Sequence, residues 1–496
     1  MKRAIVIGAG FGGLALAIRL QAAGVATTIV EARDKPGGRA YHWVRDGFTF
    51  DAGPTVITDP DCLKELWALT GHDLADDVEL VPVSPFYRLT WPDGTAFDYT
   101  NDDAVLMAEI ARFDPRDVDG YRRFLDYSAG VYEQGYVKLG AVPFLNFASM
   151  LKAAPALARY QAWRSVYSVV ARFVHNEKLR QALSFHTLLV GGNPMTTSSI
   201  YALIHKLERD GGVWFAKGGT NALVAAMVRQ FERIGGTIRL GDPVSEIEAG
   251  HGRVTSVRTQ SGWRAKADAI ASNADVVHSY RDLLKDQKRG KALEKKRFSP
   301  SLFVVHFGVR GSFPHIPHHM ILFGPRYKGL LDEIYRDGVL GEDFSLYLHH
   351  PSATDPGLAP EGHSTFYALA PVPHMGKGRI DWGAEGPKLA DRILDTVAAR
   401  IGVPDLKDRI VTRFHYAPPD FAQDLAAHLG SAFSLEPVLT QSAWFRTHNR
   451  DDRIPNLYFV GAGTHPGAGI PGVVASAKAT AGLMLEDLAD HPSSRA

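Results

Sequence analysis

Disulfide chemistry is the first thing this sequence excludes. Its 496 residues contain one cysteine, Cys62, so no internal disulfide framework, C-x-x-C redox pair or cysteine zinc site can form. Charge of one sign is also missing. Lys and Arg number 55 against 54 Asp and Glu, a formal net charge of +1, and no global field argues for a nucleic-acid partner. No apolar stretch approaches the roughly 20 residues needed to span a bilayer, so any membrane contact is peripheral. Neither a nucleophile elbow nor a Ser-His-Asp spacing occurs. His315, His318 and His319 cluster around Pro317 but lack a paired carboxylate or a second spaced motif, so no metal site is expected. What is present in quantity is core. Hydrophobic residues make up 45% and charged residues 22%, the balance of a globular chain long enough for roughly two to four domains.

The most specific pattern lies at the start. Ala4-Ile5-Val6-Ile7 is followed by Gly8-Ala9-Gly10-Phe11-Gly12-Gly13, and a second apolar run, Thr28-Ile29-Val30, is closed by Glu31. This reads as strand, glycine turn, helix and strand with an acid at its tip. Gly8 and Gly10 permit a tight turn and close approach of backbone to a pyrophosphate, and Gly13 lets the helix lie against the strands. The helix N-terminus offers unpaired N–H groups to the anion. Glu31 stands where a carboxylate accepts hydrogen bonds from both ribose hydroxyls, which favours FAD or NAD over NADP. A secretory signal would share the basic start, Met1-Lys2-Arg3, but four glycines interrupt its would-be apolar middle. A cytoplasmic location is therefore expected.

Further along, Gly37-Gly38-Arg39 makes a turn carrying a cation, and Phe48 to Thr55 reads as a strand entering a glycine-proline turn. Residues from about 103 to 207 have helical patterning, and Leu157, Tyr160, Trp163, Val166 and Val170 keep helical spacing through 153–173. Thr220 opens a helix that Gly235-Gly236 ends, before a strand at 237–240 and Pro243-Val244. Val254–Arg258 and Lys266–Ser272 read as a hairpin about Gly262. Alternating Phe, Val, Leu and Tyr at 300–310 and 343–372 predict strands of a second sheet. At the far end, Leu457-Tyr458-Phe459-Val460 repeats the logic of the start: a buried strand, a glycine-rich turn and a helix from about Val473 to Leu488. Glycine turns at both chain ends imply one domain built from both termini around an insertion.

These motifs together resemble the FAD-dependent amine oxidase-like superfamily, and within it the bacterial phytoene desaturases of carotenoid synthesis. The superfamily likeness rests on Gly8–Gly13, Glu31, Gly37-Gly38-Arg39 and the C-terminal glycine turn. The narrower likeness rests on Phe50-Asp51-Ala52-Gly53-Pro54-Thr55 and on the unbroken stretch Asn456 to Val473. It also takes in Ser184–Gly192 and Trp214–Thr220. The resemblance implies an α/β chain with a Rossmann-like FAD-binding domain assembled from residues 1–75, 215–295 and 440–496. A mixed-sheet substrate domain is then expected at 76–102 and 296–439, and a helical, membrane-contacting subdomain at 103–214.

The resemblance also implies a set of FAD-binding positions: Gly8, Gly10, Phe11, Gly12, Gly13 and Glu31, then Gly38, Arg39, Gly53, Pro54 and Thr55. Val244 would offer backbone to the adenine, and Gly461, Ala462, Gly463, Gly472 and Val473 would bring a helix N-terminus to the flavin's carbonyl edge. The implied reaction is stepwise desaturation of 15-cis-phytoene towards neurosporene or lycopene, with hydride passing to the flavin. A C40 hydrocarbon has no polar handle, so its site is expected to be a long apolar tunnel. The stretch from Val142 to Val170, with Lys152, Arg159, Arg164 and Arg172 interspersed or just beyond, is expected to lie on a membrane surface. Glu436 and His465 are the side chains expected nearest the flavin, although both residue types also cap backbone in such turns. Two other readings share the fold: a carotenoid isomerase or ketolase-type oxidase, and a flavin-free binder of prenylated protein akin to GDP-dissociation inhibitors.

Overall fold

The structure, a computed structural model, describes residues 1–490. A five-stranded parallel sheet takes its strands, in spatial order, from Leu457–Phe459, Ala269–Ser272, Arg3–Ile7, Ala26–Val30 and Thr237–Arg239. Ala4 to Ile7 are all buried, as a central parallel strand requires when both faces are covered. Because successive side chains alternate, Ala4 and Val6 join a cluster with Leu14, Ile18 and Val474 of two helices, Phe11–Ala22 and Ile470–Asp490. Ile5 and Ile7 join a different cluster with Ile247 and Val257 of a small antiparallel sheet.

The hairpin expected around Gly262 divides. Arg264–Lys266 pairs antiparallel with Arg253–Thr259, whereas Ala269–Ser272 leaves to join the parallel sheet between the first and last strands. The reason is burial: all four residues of Ala269–Ser272 are buried, and a hairpin edge exposed on one face could not cover them.

The second sheet has seven strands, in the order Ile410–Tyr416, Ser301–Arg310, His363–Val372, Leu346–His349, His319–Leu322, Tyr87–Thr90 and Ala96–Tyr99. It is mixed: 319–322 runs parallel to 87–90, and the other pairs are antiparallel. Along Ser301–Arg310 the odd positions Phe303, Val305, Phe307 and Val309 pack under helix Trp382–Arg400. The even positions Leu302 and Val304 face the other way, towards Phe185 and the helical layer.

That layer comprises helices at Asp103–Phe113, Asp117–Tyr132, Phe147–Arg159, Val166–Val170, Glu177–Ser184 and Leu203–Gly211. The helical spacing through 153–173 is not one helix. The first piece ends at Arg159, Gln161 turns the chain with φ 50°, and Ser165 caps the next piece by accepting from Ser168 N–H. No described helix is long and apolar enough to cross a membrane.

A nucleotide cradle that opens into an apolar chamber

A cavity of about 760 Å³ runs from the tip of the parallel sheet to the helical layer. Its first section is built from backbone. Gly8 has φ +94°, a conformation open to glycine at little cost, and its N–H donates to Val30 O at 2.8 Å. A Cβ on Gly13 would lie 2.0 Å from Gly8 O, so this glycine sets how closely the helix approaches the strand. A Cβ on Gly12 would lie 3.1 Å from Gly461 Cα. The glycine turns of the two chain ends therefore touch. Gly10, Phe11 and Gly12 place the first helix's N-terminus on the cavity wall.

Glu31 is buried at the end of its strand. It accepts from Ala9 N–H at 2.6 Å and Arg33 N–H at 2.9 Å. Burial raises its pKa, and these backbone donors work against the rise. A carboxylate offers about four acceptor positions, so capacity remains for two hydroxyls. Val244 also lines this end, carried there by a loop in which Asp242 N–H donates to Glu31 O. A spent-free set of backbone donors at a helix N-terminus, glycines whose Cβ atoms would collide and a buried acid with open acceptor positions fit a dinucleotide.

The middle section carries Gly38, Arg39, Gly53, Pro54 and Thr55 on one wall and Ala462, Gly472 and Val473 on another. Arg39 Nε donates to Ala432 O at 2.5 Å. Burial pushes the guanidinium pKa down, and Asp275 and Tyr416 oppose that shift. Thr55 Oγ1 lies 2.7 Å from Tyr367 Oη and 3.0 Å from Tyr347 Oη, which ties the nucleotide side to the seven-stranded sheet. Helix Ile470–Asp490 begins on this wall. Gly13, Gly461 and Gly463 stand behind the wall: a Cβ on Gly463 would meet Val276 Cγ1 at 2.5 Å.

The last section is apolar, lined by residues such as Phe185, Leu188, Leu302, Ile321 and Phe323. Helix Phe147–Arg159 places Met150, Ala153 and Leu157 on the cavity wall and leaves Phe147 and Leu151 52% and 62% exposed. Asn146 caps this helix, its side chain accepting from Ser149 N–H at 3.0 Å.

The two side chains expected near the flavin separate. His465 lines the cavity, with Nε2 2.9 Å from Leu139 O, and burial lowers its pKa to about 4. Glu436 does not reach the wall. It is held in a bidentate pair with Arg297 at 2.8 and 2.9 Å, and burial raises its pKa. Its role is to anchor the chain between the second sheet and the C-terminal turn.

A residue that sequence reading passed over is Glu208. Of the four acids on the cavity wall, Glu31, Asp275 and Asp424 belong to the nucleotide end, and Glu208 stands among the apolar side chains. Its Oε1 accepts from Tyr87 Oη at 2.9 Å. Its Oε2 lies 3.0 Å from His186 Nε2, an ion-pair distance, but the contact is too bent to be a hydrogen bond. The readable signal was an acid on the buried stripe of helix Leu203–Gly211, four positions after Ile204. Of the expected histidine group, His315 turns away to Ile401 O at 3.3 Å.

An oxidoreductase built on a parallel and a larger mixed sheet, with a dinucleotide cradle feeding a second chamber, is the class that this fold and cavity define. The chain belongs to the family of flavin-containing amine oxidoreductases, whose pattern matches residues 11–485. It is similar to the lycopene-forming phytoene desaturase of Paracoccus sp. (strain N81106 / MBIC 01143), at 63% identity over 98% of both chains. Similarity to the neurosporene-forming phytoene desaturase of Rhodobacter capsulatus is 42%, over 98% of this chain and 94% of that one. Among solved structures, an oxidoreductase from Methanosarcina mazei superposes with a TM-score of 0.65 at 16% identity, covering 96% of this chain and 99% of that one. That likeness speaks for the fold alone.

Proposed function

We propose that this protein is an FAD-dependent phytoene desaturase that takes its hydrocarbon from a membrane surface and forms lycopene or neurosporene. One observation carries the reading: a single cavity joins a nucleotide cradle to apolar walls that include a helix with exposed apolar side chains. Relatives named for this reaction, over nearly the full length of both chains, support it.

Each desaturation breaks two C–H bonds on neighbouring carbons and forms one C=C bond; one hydrogen leaves as hydride and the other as a proton. Bound FAD supplies the hydride acceptor. Glu31 and the Gly8–Gly13 turn would hold its adenosine and pyrophosphate, and Arg39 and Thr55 stand at the junction with the chamber. The N-terminus of helix Ile470–Asp490 faces the same junction and favours negative charge there. The apolar wall orients a substrate that has nothing to hydrogen-bond and excludes water. Glu208 is the proton acceptor, since it is the acid of the chamber section and its Oε2 carries no hydrogen bond. Phe147, Leu151 and Trp163, exposed at 52%, 62% and 65%, dip into the lipid surface at the chamber's outer end, with Lys152, Arg159 and Arg164 near headgroups.

The test is incubation of the purified protein with FAD and phytoene-loaded liposomes, with oxygen or a quinone as oxidant. Coloured products lighter than phytoene by pairs of hydrogens are expected. Unchanged phytoene, products of unchanged mass or products with added oxygen would each overturn the reading, and a colourless protein that takes up no flavin would overturn it more deeply.

A further inference from the structure

Behind the chamber wall, three histidines from two neighbouring segments converge. His319 and His349 are direct cross-strand partners in the second sheet, and His318 precedes the same strand. Their ring centroids lie 4.4, 4.9 and 5.4 Å apart. All three are at least 96% buried, with exposures of 4%, 0% and 0%. One ring nitrogen from each lies within 4.8 Å of those of the other two.

Hydrogen bonding at this cluster is lopsided. His318 Nδ1 is 2.6 Å from Thr354 Oγ1, and His319 Nδ1 is 2.7 Å from Tyr347 Oη. His349 Nδ1 is 3.5 Å from the same hydroxyl. The three Nε2 atoms have no hydrogen-bond partner. An unpaired buried polar atom costs about 1–3 kcal/mol, and three such atoms on rings this close call for a shared guest. With Nδ1–H donated to oxygen, each Nε2 presents a lone pair, which is how second-shell oxygens set a histidine for metal ligation.

We propose that His318, His319 and His349 bind a transition-metal ion of imidazole preference, zinc(II) or copper(I), through their Nε2 atoms. Three imidazole nitrogens without a carboxylate exclude calcium and magnesium, which take oxygen ligands. Tetrahedral zinc, with Zn–N near 2.0–2.1 Å, needs nitrogens about 3.4 Å apart, so the rings close in slightly on binding and a hydroxide or water fills the fourth position. Copper(I) takes the three nitrogens alone and leaves less uncompensated charge in a dry site. The ion fastens His318-His319 to His349, and through Tyr347, which lines the cavity, it stiffens the chamber wall. None of the three histidines lines the cavity, although Tyr347 joins His319 to Thr55 at its junction, and the site does not depend on the substrate reading.

The test uses full-length protein carrying flavin and no histidine tag, expressed with added zinc or copper and measured by elemental analysis. About one equivalent of one of the two metals per chain is expected, with a lower Tm after chelation and unchanged flavin absorbance. Refilling the chelated protein with Co²⁺ alone should give the intense visible bands of a tetrahedral site. In His318→Gln, which alters the ligand outside the strands, the metal content should fall at least tenfold while flavin content stays. Trace metal only in the wild-type protein, with no saturable uptake of Zn²⁺ or Cu⁺, would overturn the proposal without any variant. Undiminished binding in a folded His318→Gln protein would do the same.

Discussion

The two ends of the cavity are made by different rules. At the nucleotide end, recognition rests on backbone: Gly8 at positive φ, Gly13 against Gly8 O, Gly12 against Gly461, and a helix N-terminus. At the chamber end it rests on side chains collected from Phe185, Leu302, Ile321, Phe323 and helix Phe147–Arg159, none of which is diagnostic alone. The first end tolerates almost no change at a few positions. The second spreads its specificity over many positions and, on the function proposed, concentrates its chemistry in one, Glu208.

Replacing Glu208 by Gln should break the chamber without touching the cradle. Turnover should fall about 10²–10⁴-fold, the usual contribution of a positioned base, with flavin content unchanged. A steady-state comparison on phytoene liposomes measures it, and near wild-type turnover would remove Glu208 from the mechanism. On the other side, Glu31→Ala should spare the chamber and weaken the cradle. Losing hydrogen bonds to a charged acceptor costs about 1.5–3 kcal/mol, so the Kd for FAD should rise roughly 10–100-fold, as read by fluorescence titration of the apoprotein.

Smaller effects separate the chamber's mouth from its interior. Leu151→Gln with Trp163→Gln should lower liposome partitioning about tenfold, since half-burying two such side chains in lipid is worth roughly 1–2 kcal/mol, while flavin binding stays intact. Sedimentation with vesicles decides this; unaltered partitioning would move the membrane contact elsewhere.

The least expected effect is a loss of stability on mild acidification. Burial lowers the pKa of His306 to about 3 and of His374 and His465 to about 4. The unfolded chain therefore binds more protons below the ordinary histidine pKa near 6.5, and stability present above that value is lost as pH falls towards 4. Each histidine contributes about 0.7 kcal/mol of loss between about pH 7 and 6. Asp51 opposes this in part. Burial raises its pKa to about 6, so its contribution is present at low pH and lost as pH rises through that value. A net rise in Tm on acidification from about pH 7 to 6 would contradict the histidine assignment.

The same contrast explains what could be read from sequence. Gly8 to Gly13, Glu31 and the turn at Gly461 were legible because the constraints act over a few residues: a positive φ, a missing Cβ, an acid at a strand tip. Most of the parallel sheet and the 301–310, 346–349 and 363–372 strands of the second were visible as apolar runs, and the class of fold followed, whereas the strands at 87–90, 96–99, 319–322 and 410–416 were not read. Ala269–Ser272 was misassigned to a hairpin because its true neighbours, Ile5 and Leu457, lie more than 180 residues away in either direction. The break at Gln161 was hidden because apolar spacing continues across it by coincidence. The roles of Glu208 and of the cluster at His318, His319 and His349 were hard to read for a related reason. Their meaning comes from partners such as Tyr87, Tyr347 and Thr354, which tertiary contacts alone bring near.

On the proposed function, the cradle and the chamber serve one reaction. Protein carrying oxidised flavin, mixed without oxygen with phytoene-loaded liposomes, tests it in a single step. The flavin's visible absorbance should bleach as phytoene is converted, and return when a quinone or oxygen is admitted. Flavin that stays oxidised in contact with phytoene, in protein shown to bind those liposomes, would contradict it.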